Sequence, residues 1–393
     1  MSDRQTIARG DAHRIQSHPA FACIALVLQG GGALGAYQAG VYEALAEASL
    51  QPDWVAGISI GAINAALIAG NAPGTRIEKL RSFWEGITAW PWSSWEERLN
   101  PMLLRGDIAR QWHHQISAGL ALVGGAPGFF SPRMPPPWLS PAGTPEAMSL
   151  FDTGPLRRTF ERLIDFDRIN SAEMRFSVGA VNVSTGNFVY FDNRTHAIGP
   201  EHVMASGALP PGFPPIEIEG EYYWDGGLVS NTPLQWVVDS RPALDTLAFQ
   251  VDLWSAGGEL PRTFAEVATR QKEIQYSSRT RAGTNSFKHI QRLRHAMADL
   301  LDQLPAPLRD GPEAKLLRDA TDRKVYNIVH LIYRAKKHEG HSKDFEFSRA
   351  SMREHWWTGY HDAMRTLRHP EVLQRPTNHE GVFTFDLHSD ARE

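Results

Sequence analysis

The sequence predicts an α/β protein in which a mainly parallel sheet lies between helices. The first observation is a succession of strand, helix, strand and helix patterns from Phe21 to Ala69. The second is the return of strand patterns at residues 175–193 and 244–253. Because strand–helix–strand units join parallel strands through right-handed crossovers, the first succession predicts the start of a parallel sheet.

The N-terminal elements are the clearest. The apolar run Phe21–Leu28 predicts a fully buried strand, and Gly35–Ala48 predicts a helix. The apolar face of this helix carries Tyr37, Val41, Leu45 and Ala48. Asp53–Ile58 predicts a second short strand, and Gly61–Ala69 a second helix.

Residues 81–149 are rich in tryptophan and proline, and we expect them to form an insertion folded over the core. The tryptophans are Trp84, Trp90, Trp92, Trp95, Trp112 and Trp138. Two interpretations remain open. The aromatic side chains either pack against each other or form an apolar lid or acyl-chain wall beside a site.

The next segment continues the α/β pattern. Arg175–Asn193 predicts a hairpin that turns at Ser184–Asn187, and His202–Leu209 predicts a helix. Four prolines within residues 210–215 then enforce an extended turn. Residues 244–253 predict another strand, and we place the end of the core domain, residues 21–256, just beyond it.

Residues 257–393 predict a mainly helical C-terminal extension. Helices are expected at Phe264–Tyr276 and Phe287–Leu304, a strand at Val325–Tyr333, and an apolar helical stripe from Met352 to Leu367. The basic residues here include Arg270, Lys272, Arg279, Arg281, Lys288, Arg292 and Arg294. Such residues usually form a solvated face, and an anionic surface partner remains an open alternative.

The overall charge argues against a nucleic-acid partner. The formal net charge is −4 and the sequence pI is about 6.5, so no global field attracts a polyanion. The single cysteine, Cys23, excludes an internal disulfide and is expected to be a buried core thiol. These features favour a reducing compartment.

The N-terminus and the hydropathy pattern favour a cytoplasmic protein. Residues 1–20 are polar, lack the apolar core of a signal peptide, and are expected to form a flexible arm. No run approaches the roughly 20 apolar residues of a spanning helix. Peripheral contact with a membrane or another lipid surface remains open.

Three consecutive glycines, Gly30, Gly31 and Gly32, close the first predicted strand, and Gly35 opens the helix. Glycine permits positive φ and lets backbone N–H groups approach a bound group closely. A helix start also favours negative charge. This loop therefore predicts an anion-binding site.

The same glycine spacing also matches the dinucleotide-binding fingerprint. That interpretation requires an acidic residue at the end of the second strand to hold the ribose. Here the strand ends in Gly57-Ile58-Ser59, whereas Glu47 and Asp53 lie before it or at its start. Nicotinamide or flavin binding is therefore disfavoured.

Gly57, Ser59 and Gly61 form a G-x-S-x-G pattern between a strand and a helix. In this context a sharp turn raises a serine hydroxyl out of the sheet, so Ser59 is a candidate nucleophile; the alternative role is a helix N-cap. A histidine base could come from His330, His338, His341 or His369. None of these lies in a sequence context that marks a catalytic residue.

Asp225 is a better candidate for the base. It ends the aromatic stretch Tyr222–Trp224, and Gly226 and Gly227 leave its approach open. The alternative is a plain Asp-Gly-Gly turn, in which the aspartate bonds its own backbone. Because free aspartate has a pKa near 3.9, such a base requires burial that raises its pKa and strong stabilisation of the oxyanion.

Together, GGGALG at Gly30, GISIG at Gly57 and DGG at Asp225 resemble the patatin-like phospholipase family, serine lipid acyl hydrolases that use a Ser–Asp dyad. The resemblance spans about residues 23–253 and includes ASGALPPGFPP and DGGLVSNTPL. It implies a three-layer α/β fold. The C-terminal stretch resembles an extension of unknown role in some bacterial members, which implies a bacterial source.

The resemblance also assigns roles. It implies Ser59 as nucleophile, Asp225 as base and the amides of Gly30–Gly32 as oxyanion hole, with no metal or cofactor. The supporting motif residues are Gly35, Gly57, Gly61, Gly226 and Gly227. The implied reaction is hydrolysis of carboxylic esters of lipids through an acyl-Ser59 intermediate.

Leu34 departs from the family pattern, which often has a basic residue there. This departure leaves neutral esters, lysolipids and a storage polyester open as substrates beside phospholipids. Two alternatives to a hydrolase also remain open: a lipid- or polyester-associated binding or regulatory protein, and an acyltransferase.

Overall fold

The computed structural model describes residues 19–89, 117–277, 280–335 and 339–387. In this part of the chain, nine strands form one sheet and two short strands form a second one. In chain order the strands are β1 (Cys23–Leu28), β2 (Trp54–Gly57), β3 (Ser131–Pro132), β4 (Phe151–Asp152), β5 (Arg175–Asn182), β6 (Phe188–Asp192), β7 (Ile216–Ile218), β8 (Glu221–Asp225), β9 (Thr246–Asp252), β10 (Tyr326–Ile332) and β11 (Val382–Phe385).

The α-helices fall before, between and after these strands. They are α1 (Ala36–Glu47), α2 (Ile60–Ala69), α3 (Arg76–Ile87), α4 (Gly154–Leu163), α5 (Phe166–Asn170), α6 (Pro200–Ser206), α7 (Leu234–Val238), α8 (Phe264–Tyr276), α9 (Thr280–Asp302), α10 (Ala306–Arg309), α11 (Pro312–Ala320) and α12 (Arg349–Thr366). Short 3-10 turns lie at Gly32–Gly35, Pro137–Leu139, Pro145–Ala147, Gly226–Leu228 and Pro370–Leu373.

The large sheet has the strand order β11-β10-β9-β1-β2-β5-β8-β7, with β6 also paired to β5. The six strands from β11 to β5 are all parallel. The strands β6, β7 and β8 add antiparallel pairs at the other side. A mainly parallel sheet with intervening helices confirms the predicted α/β class, and the hairpin β5–β6 confirms the predicted turn.

The sheet continues into the C-terminal region. The strand β10 confirms the strand predicted at Val325–Tyr333, and it pairs in parallel with β9. The strand β11, which the sequence analysis did not predict, pairs in parallel with β10. The region beyond residue 256 is therefore mainly helical, as predicted, but it also extends the sheet of the core.

The helix α12 also packs directly on the core helix α1. A side-chain carbon added at Gly40 would lie 1.9 Å from the carbonyl oxygen of Trp356, and one added at Gly359 would lie 2.0 Å from that of Tyr37. The two helix backbones are therefore in contact at this crossing. The hydroxyl of Tyr37 also donates a hydrogen bond to Asp362 Oδ2 at 3.0 Å.

The Trp- and Pro-rich segment differs partly from its predicted character. Its first residues lie in α3, where Trp84 is fully buried in the core and donates from Nε1 to Asn64 Oδ1 at 3.0 Å. Trp138 is 75 % exposed. The predicted tryptophans Trp90, Trp92, Trp95 and Trp112 lie outside the described residues. Trp84 is thus a core residue, whereas the predicted insertion at residues 81–149 stays a prediction.

The described remainder of this segment is anchored by aromatic packing. Phe129 and Phe130 from the segment lie against Phe213 of the proline-rich turn, with ring centroids 5.9 and 5.3 Å apart. Both also contact Phe347, just before α12. These four rings therefore join three distant parts of the chain.

The centre of the sheet is apolar. All six residues of β1 are buried, as the continuous apolar run predicts. Cys23 is among them, and burial raises the pKa of its thiol to about 12, so it behaves as a core residue. In the described ranges, no helix combines the length and the apolar character needed to cross a membrane.

Candidate active site

Ser59 lies at a sharp turn between β2 and α2. Its φ and ψ are 55° and −124°, a conformation that a non-glycine residue adopts only under strain. Its flanking glycines have no room for a side chain. A side-chain carbon added at Gly57 would lie 2.3 Å from Gly61 O, and one at Gly61 would lie 2.3 Å from Leu28 O. The G-x-S-x-G pattern therefore forms a strained turn at the start of α2.

Asp225 ends β8, and its carboxylate lies close enough to the Ser59 side chain for that side chain to lower the pKa of the carboxyl. The strand β5 lies between β2 and β8, with Gly57 opposite Val178 and Asp225 opposite Ala180. The carboxylate is 2 % exposed, and its Oδ1 accepts a hydrogen bond from the Gly227 N–H at 2.7 Å. The structure thus brings the two predicted residues together.

The surroundings of Asp225 change its acidity. Burial raises the pKa of this carboxyl from 3.8 to about 7, because the charged form loses its hydration. The hydrogen bonds from Ser59 and the Gly227 N–H stabilise the charged form and limit the rise in pKa. A carboxylate that acts as the base for a serine requires such a raised pKa.

The glycine loop passes directly beside Ser59. A side-chain carbon added at Gly30 would lie 3.1 Å from Ser59 Cβ. The N–H of Gly30 donates to the carbonyl oxygen of Asn231 at 3.2 Å. Within the described residues, the turn and loop hydrogen bonds engage neither the N–H of Gly31 nor that of Gly32. Of the three predicted amides, these two are therefore the ones available to an oxyanion.

The remaining predicted glycines let neighbouring segments of the site pack closely against each other. A side-chain carbon added at Gly35 would lie 2.5 Å from Ile60 Cγ1, and one at Gly226 would lie 2.6 Å from Gly179 O. One at Gly227 would lie 2.9 Å from Asn231 Oδ1. Each supporting glycine therefore allows a close contact that a larger residue would block.

Two further polar residues hold the site, and sequence reasoning did not assign them a role. Ser206 Oγ accepts from the Ser59 N–H at 3.0 Å and donates to Gly179 O at 2.7 Å. Asn231 Nδ2 donates to Gly30 O at 3.0 Å. Ser206 lies in the stretch ASGALPPGFPP and Asn231 in DGGLVSNTPL. Both stretches belong to the family resemblance, but the resemblance did not identify these two residues as part of the site.

The disfavoured alternatives find no support in the geometry. The dinucleotide interpretation would use Asp53 or Glu47, but Asp53 accepts from the Ile24 N–H at 2.8 Å and Glu47 from the Tyr360 hydroxyl at 2.7 Å. His330 lies on β10, where burial lowers its pKa to about 4, and His369 faces Glu371. His338 lies outside the described residues.

Leu34 is fully buried within the main hydrophobic cluster. Its side chain packs among core residues rather than at an exposed surface. The residue at this position therefore contributes to packing, and its lack of charge says little about the head group of a substrate.

Comparison with known families now decides the classification. A family model described as "Patatin-like phospholipase" matches residues 26–237, which is more than half of the chain. The chain belongs to the patatin-like phospholipase family. A second family model, described as "Patatin phospholipase", matches residues 274–379 of this patatin-like protein. The family assignment agrees with the resemblance carried by the three motifs.

Curated relatives match a short part of this patatin-like protein. The protein named "Lysophospholipase nte1" from Aspergillus terreus is 47 % identical over 68 residues, which are 17 % of this chain and 4 % of that protein. The protein of the same name from Aspergillus niger is 44 % identical over 68 residues, which are again 17 % of this chain and 4 % of that protein. The chain thus spans only a small fraction of the relatives that it matches.

A solved structure, VipD from Legionella pneumophila, aligns with 94 % of this chain and 72 % of its own. The sequence identity is 17 % and the TM-score is 0.38.

Proposed function

We propose that this protein is a serine lipid acyl hydrolase in which Ser59 and Asp225 form the catalytic dyad. The observation that carries the proposal is the interaction of the Ser59 side chain with the buried carboxyl of Asp225, whose pKa burial raises to about 7. The glycine loop also passes close to the serine at Gly30, and among the described residues the amides of Gly31 and Gly32 make no turn or loop hydrogen bond. A nucleophile, a base and oxyanion donors are the parts that acyl transfer requires.

In the first half of the reaction, Ser59 Oγ attacks the ester carbonyl carbon. The hydroxyl proton passes to the carboxylate of Asp225, and the carbonyl oxygen becomes an oxyanion held by the N–H groups of Gly31 and Gly32. When the tetrahedral intermediate collapses, the bond to the leaving oxygen breaks. The alcohol then departs with the proton from Asp225, which leaves an acyl-Ser59 ester.

The second half repeats these steps with water. Asp225 takes a proton from water, the hydroxide oxygen bonds to the acyl carbon, and the same amides hold the oxyanion. Collapse releases the fatty acid, and the proton returns from Asp225 to Ser59 Oγ. Each oxyanion donor is typically worth about 10²–10³ in turnover, so the glycine loop carries much of the catalysis in a dyad without histidine.

Substitution of either dyad residue tests the proposal. We expect Ser59→Ala and Asp225→Asn to lower p-nitrophenyl ester hydrolysis by at least about 10³-fold, since each removes the nucleophile or its base. Ser184→Ala and Asp310→Asn change exposed residues of the same types and serve as matched controls. Full hydrolysis by either dyad variant contradicts the proposal.

Two measurements show whether a dyad variant has lost a catalytic group or has lost its folded structure. A fluorophosphonate probe should label the wild type and not Ser59→Ala, as read by intact mass. Asp225→Asn removes a buried carboxylate, and its melting temperature should therefore not fall below that of the wild type. A probe adduct at another residue would remove Ser59 from its role.

The names of the matched relatives favour one class of substrate. We propose a monoacyl phospholipid as the first candidate, because the matched relatives carry the name lysophospholipase. Neutral esters and hydroxyacid polyesters form the comparison panel. A lipid screen with the wild type against Ser59→Ala, with and without an added alcohol acceptor, ranks these substrates and separates hydrolysis from acyl transfer.

A further inference from the structure

Two reciprocal ion pairs join α8 to the loop that precedes α12. Lys272 Nζ lies 2.7 Å from both carboxylate oxygens of Asp344, and Lys343 Nζ lies 2.7 Å from Glu273 Oε1. Consecutive residues of opposite charge on one segment thus face consecutive residues of opposite charge on the other. We call these four residues the clamp.

The clamp is largely shielded from water. The Lys343 side chain is 4 % exposed, and the other three side chains are about one-fifth exposed. The ammonium of Lys343 also lies 5.0 Å from the ring centroid of Trp254. Salt screens shielded pairs less than exposed ones, so these pairs should persist at ionic strengths that weaken a surface pair.

The clamp holds the glycine loop through a backbone contact. The carbonyl oxygen of Asp344 accepts a hydrogen bond from the Ala33 N–H at 2.8 Å. The same oxygen would lie 2.1 Å from a side-chain carbon added at Gly32, whose φ is +56°. The backbone of Asp344 therefore lies directly against the residue whose amide is available to an oxyanion.

A second route connects the same segment to the loop. Tyr276, the last residue of α8, accepts from Asn231 Nδ2 at 2.8 Å through its carbonyl, and Asn231 Nδ2 also donates to Gly30 O. Trp254, beneath Lys343, donates from Nε1 to Gly30 O at 3.0 Å. Both ends of the glycine loop are thus tied to the neighbourhood of the clamp.

These contacts matter because an oxyanion hole works only when its donors are already in place. Amide hydrogens must point at the oxyanion before the charge develops, and displacement by about 1 Å can cost as much as 10²-fold in rate. The backbone of three consecutive glycines is intrinsically mobile. An external support is therefore needed to fix the amides of Gly31 and Gly32.

We propose that Lys272, Glu273, Lys343 and Asp344 are positioning residues for the oxyanion hole. They lie outside the segment that matches the patatin-like model, and they act on the reaction through the backbone of the glycine loop. This inference rests on the proposed function and deepens it. It gives the C-terminal region a part in transition-state stabilisation.

The variants Lys272→Met and Lys343→Met test the clamp. We expect kcat for ester hydrolysis to fall about tenfold or more while KM changes less than about twofold, since the clamp does not touch the substrate. The affinity for a trifluoromethyl ketone, which forms a tetrahedral adduct with serine, should weaken by the same factor as kcat. A purely structural role would not link these two quantities.

Two further variants serve as controls. Lys272→Glu combined with Asp344→Lys restores an ion pair with reversed polarity and should recover most of the lost kcat. Arg292→Met removes an exposed pair with Glu380 elsewhere in the C-terminal region and should leave kcat unchanged. All variants are first checked for cooperative thermal unfolding, so that a misfolded variant is not counted.

Hydrogen exchange gives a readout that does not depend on activity. In Lys272→Met and Lys343→Met, the peptide that covers residues 29–40 should exchange faster than in the wild type. A folded variant with unchanged kcat and unchanged exchange overturns the clamp, as does a loss of kcat without loss of ketone affinity. If the wild type hydrolyses no ester, the proposed function fails. The hydrogen-exchange comparison alone then tests whether the clamp fixes the glycine loop.

Discussion

At the scale of single residues, the proposed role of Asp225 as base makes its carboxyl the group that should set the response of the site to pH. Its carboxyl is almost fully buried, and burial raises its pKa to about 7. A general base works only when it is deprotonated. The protonation state of one side chain should therefore set the acidic limit of activity.

We predict that kcat/KM rises with pH and reaches a plateau above a midpoint of about 7. Below this midpoint the native carboxyl carries a proton and cannot accept one from Ser59, so activity falls about tenfold for each pH unit. A pH profile on an uncharged p-nitrophenyl ester measures this midpoint. A midpoint near 4, the value for a solvated aspartate, would contradict the effect of burial.

The sequence located the two central residues because both stand in short motifs. Ser59 lies between glycines at a strand–helix junction, and Asp225 precedes two glycines. Ser206 and Asn231 stand in no such pattern, and their roles come from hydrogen bonds to residues 27 or more positions away in the chain. Local patterns could not reveal these partners.

At the scale of secondary-structure elements, the crossing of α1 and α12 depends on two glycines. Gly40 and Gly359 let the helix backbones touch, with Trp356 O and Tyr37 O where side chains would otherwise lie. A glycine inside a helix usually costs about 0.5–1 kcal/mol relative to alanine. Here the close approach of the two helices outweighs that cost.

We predict that Gly40→Ala lowers the free energy of unfolding by about 1–3 kcal/mol, because the new methyl group forces the helices apart. Gly86→Ala is the matched control, since it lies in α3 with open space around the added carbon. It should stabilise the protein by about 0.5–1 kcal/mol. Denaturant unfolding of both variants measures the difference, and equal effects would contradict the packing argument.

Periodicity predicted most elements near the site, and its failures have physical reasons. The apolar run of β1 and the spacing along α1 and α12 gave strands and helices that the structure contains. The strand β11 is four residues long, so its pattern is too short to stand out. The burial of Trp84 in the core could not be predicted, because composition does not show which face of α3 is buried.

At the scale of the whole molecule, one sheet includes strands from both sides of residue 256. The strand β9 lies between β1 and β10, and so it joins the N-terminal strands to those of the C-terminal region. The sequence could not reveal this, because a strand pattern does not say which strand is its neighbour. The predicted boundary at residue 256 therefore does not imply that the catalytic domain and the extension fold independently of each other.

We predict that a chain ending at residue 256 is insoluble or unfolded. Such a chain loses β10, one of the two strands that pair with β9, and uncovers α1. An unpaired strand edge promotes association between molecules. Size-exclusion chromatography and circular dichroism check this against a chain that lacks only residues 1–18. A monomeric, folded and active truncated chain would contradict the expectation.

The position of β9 also has a consequence for synthesis on the ribosome. Protein chains emerge from the N-terminus, and domains generally fold as units. The dyad and the glycine loop emerge within the first 256 residues, whereas β10, the clamp partners Lys343 and Asp344, and α12 follow only after a further 70 residues or so. If the clamp acts as proposed, an unfinished chain lacks its support for the glycine loop until the last third has been synthesised, and such chains should hydrolyse esters more slowly than the complete chain.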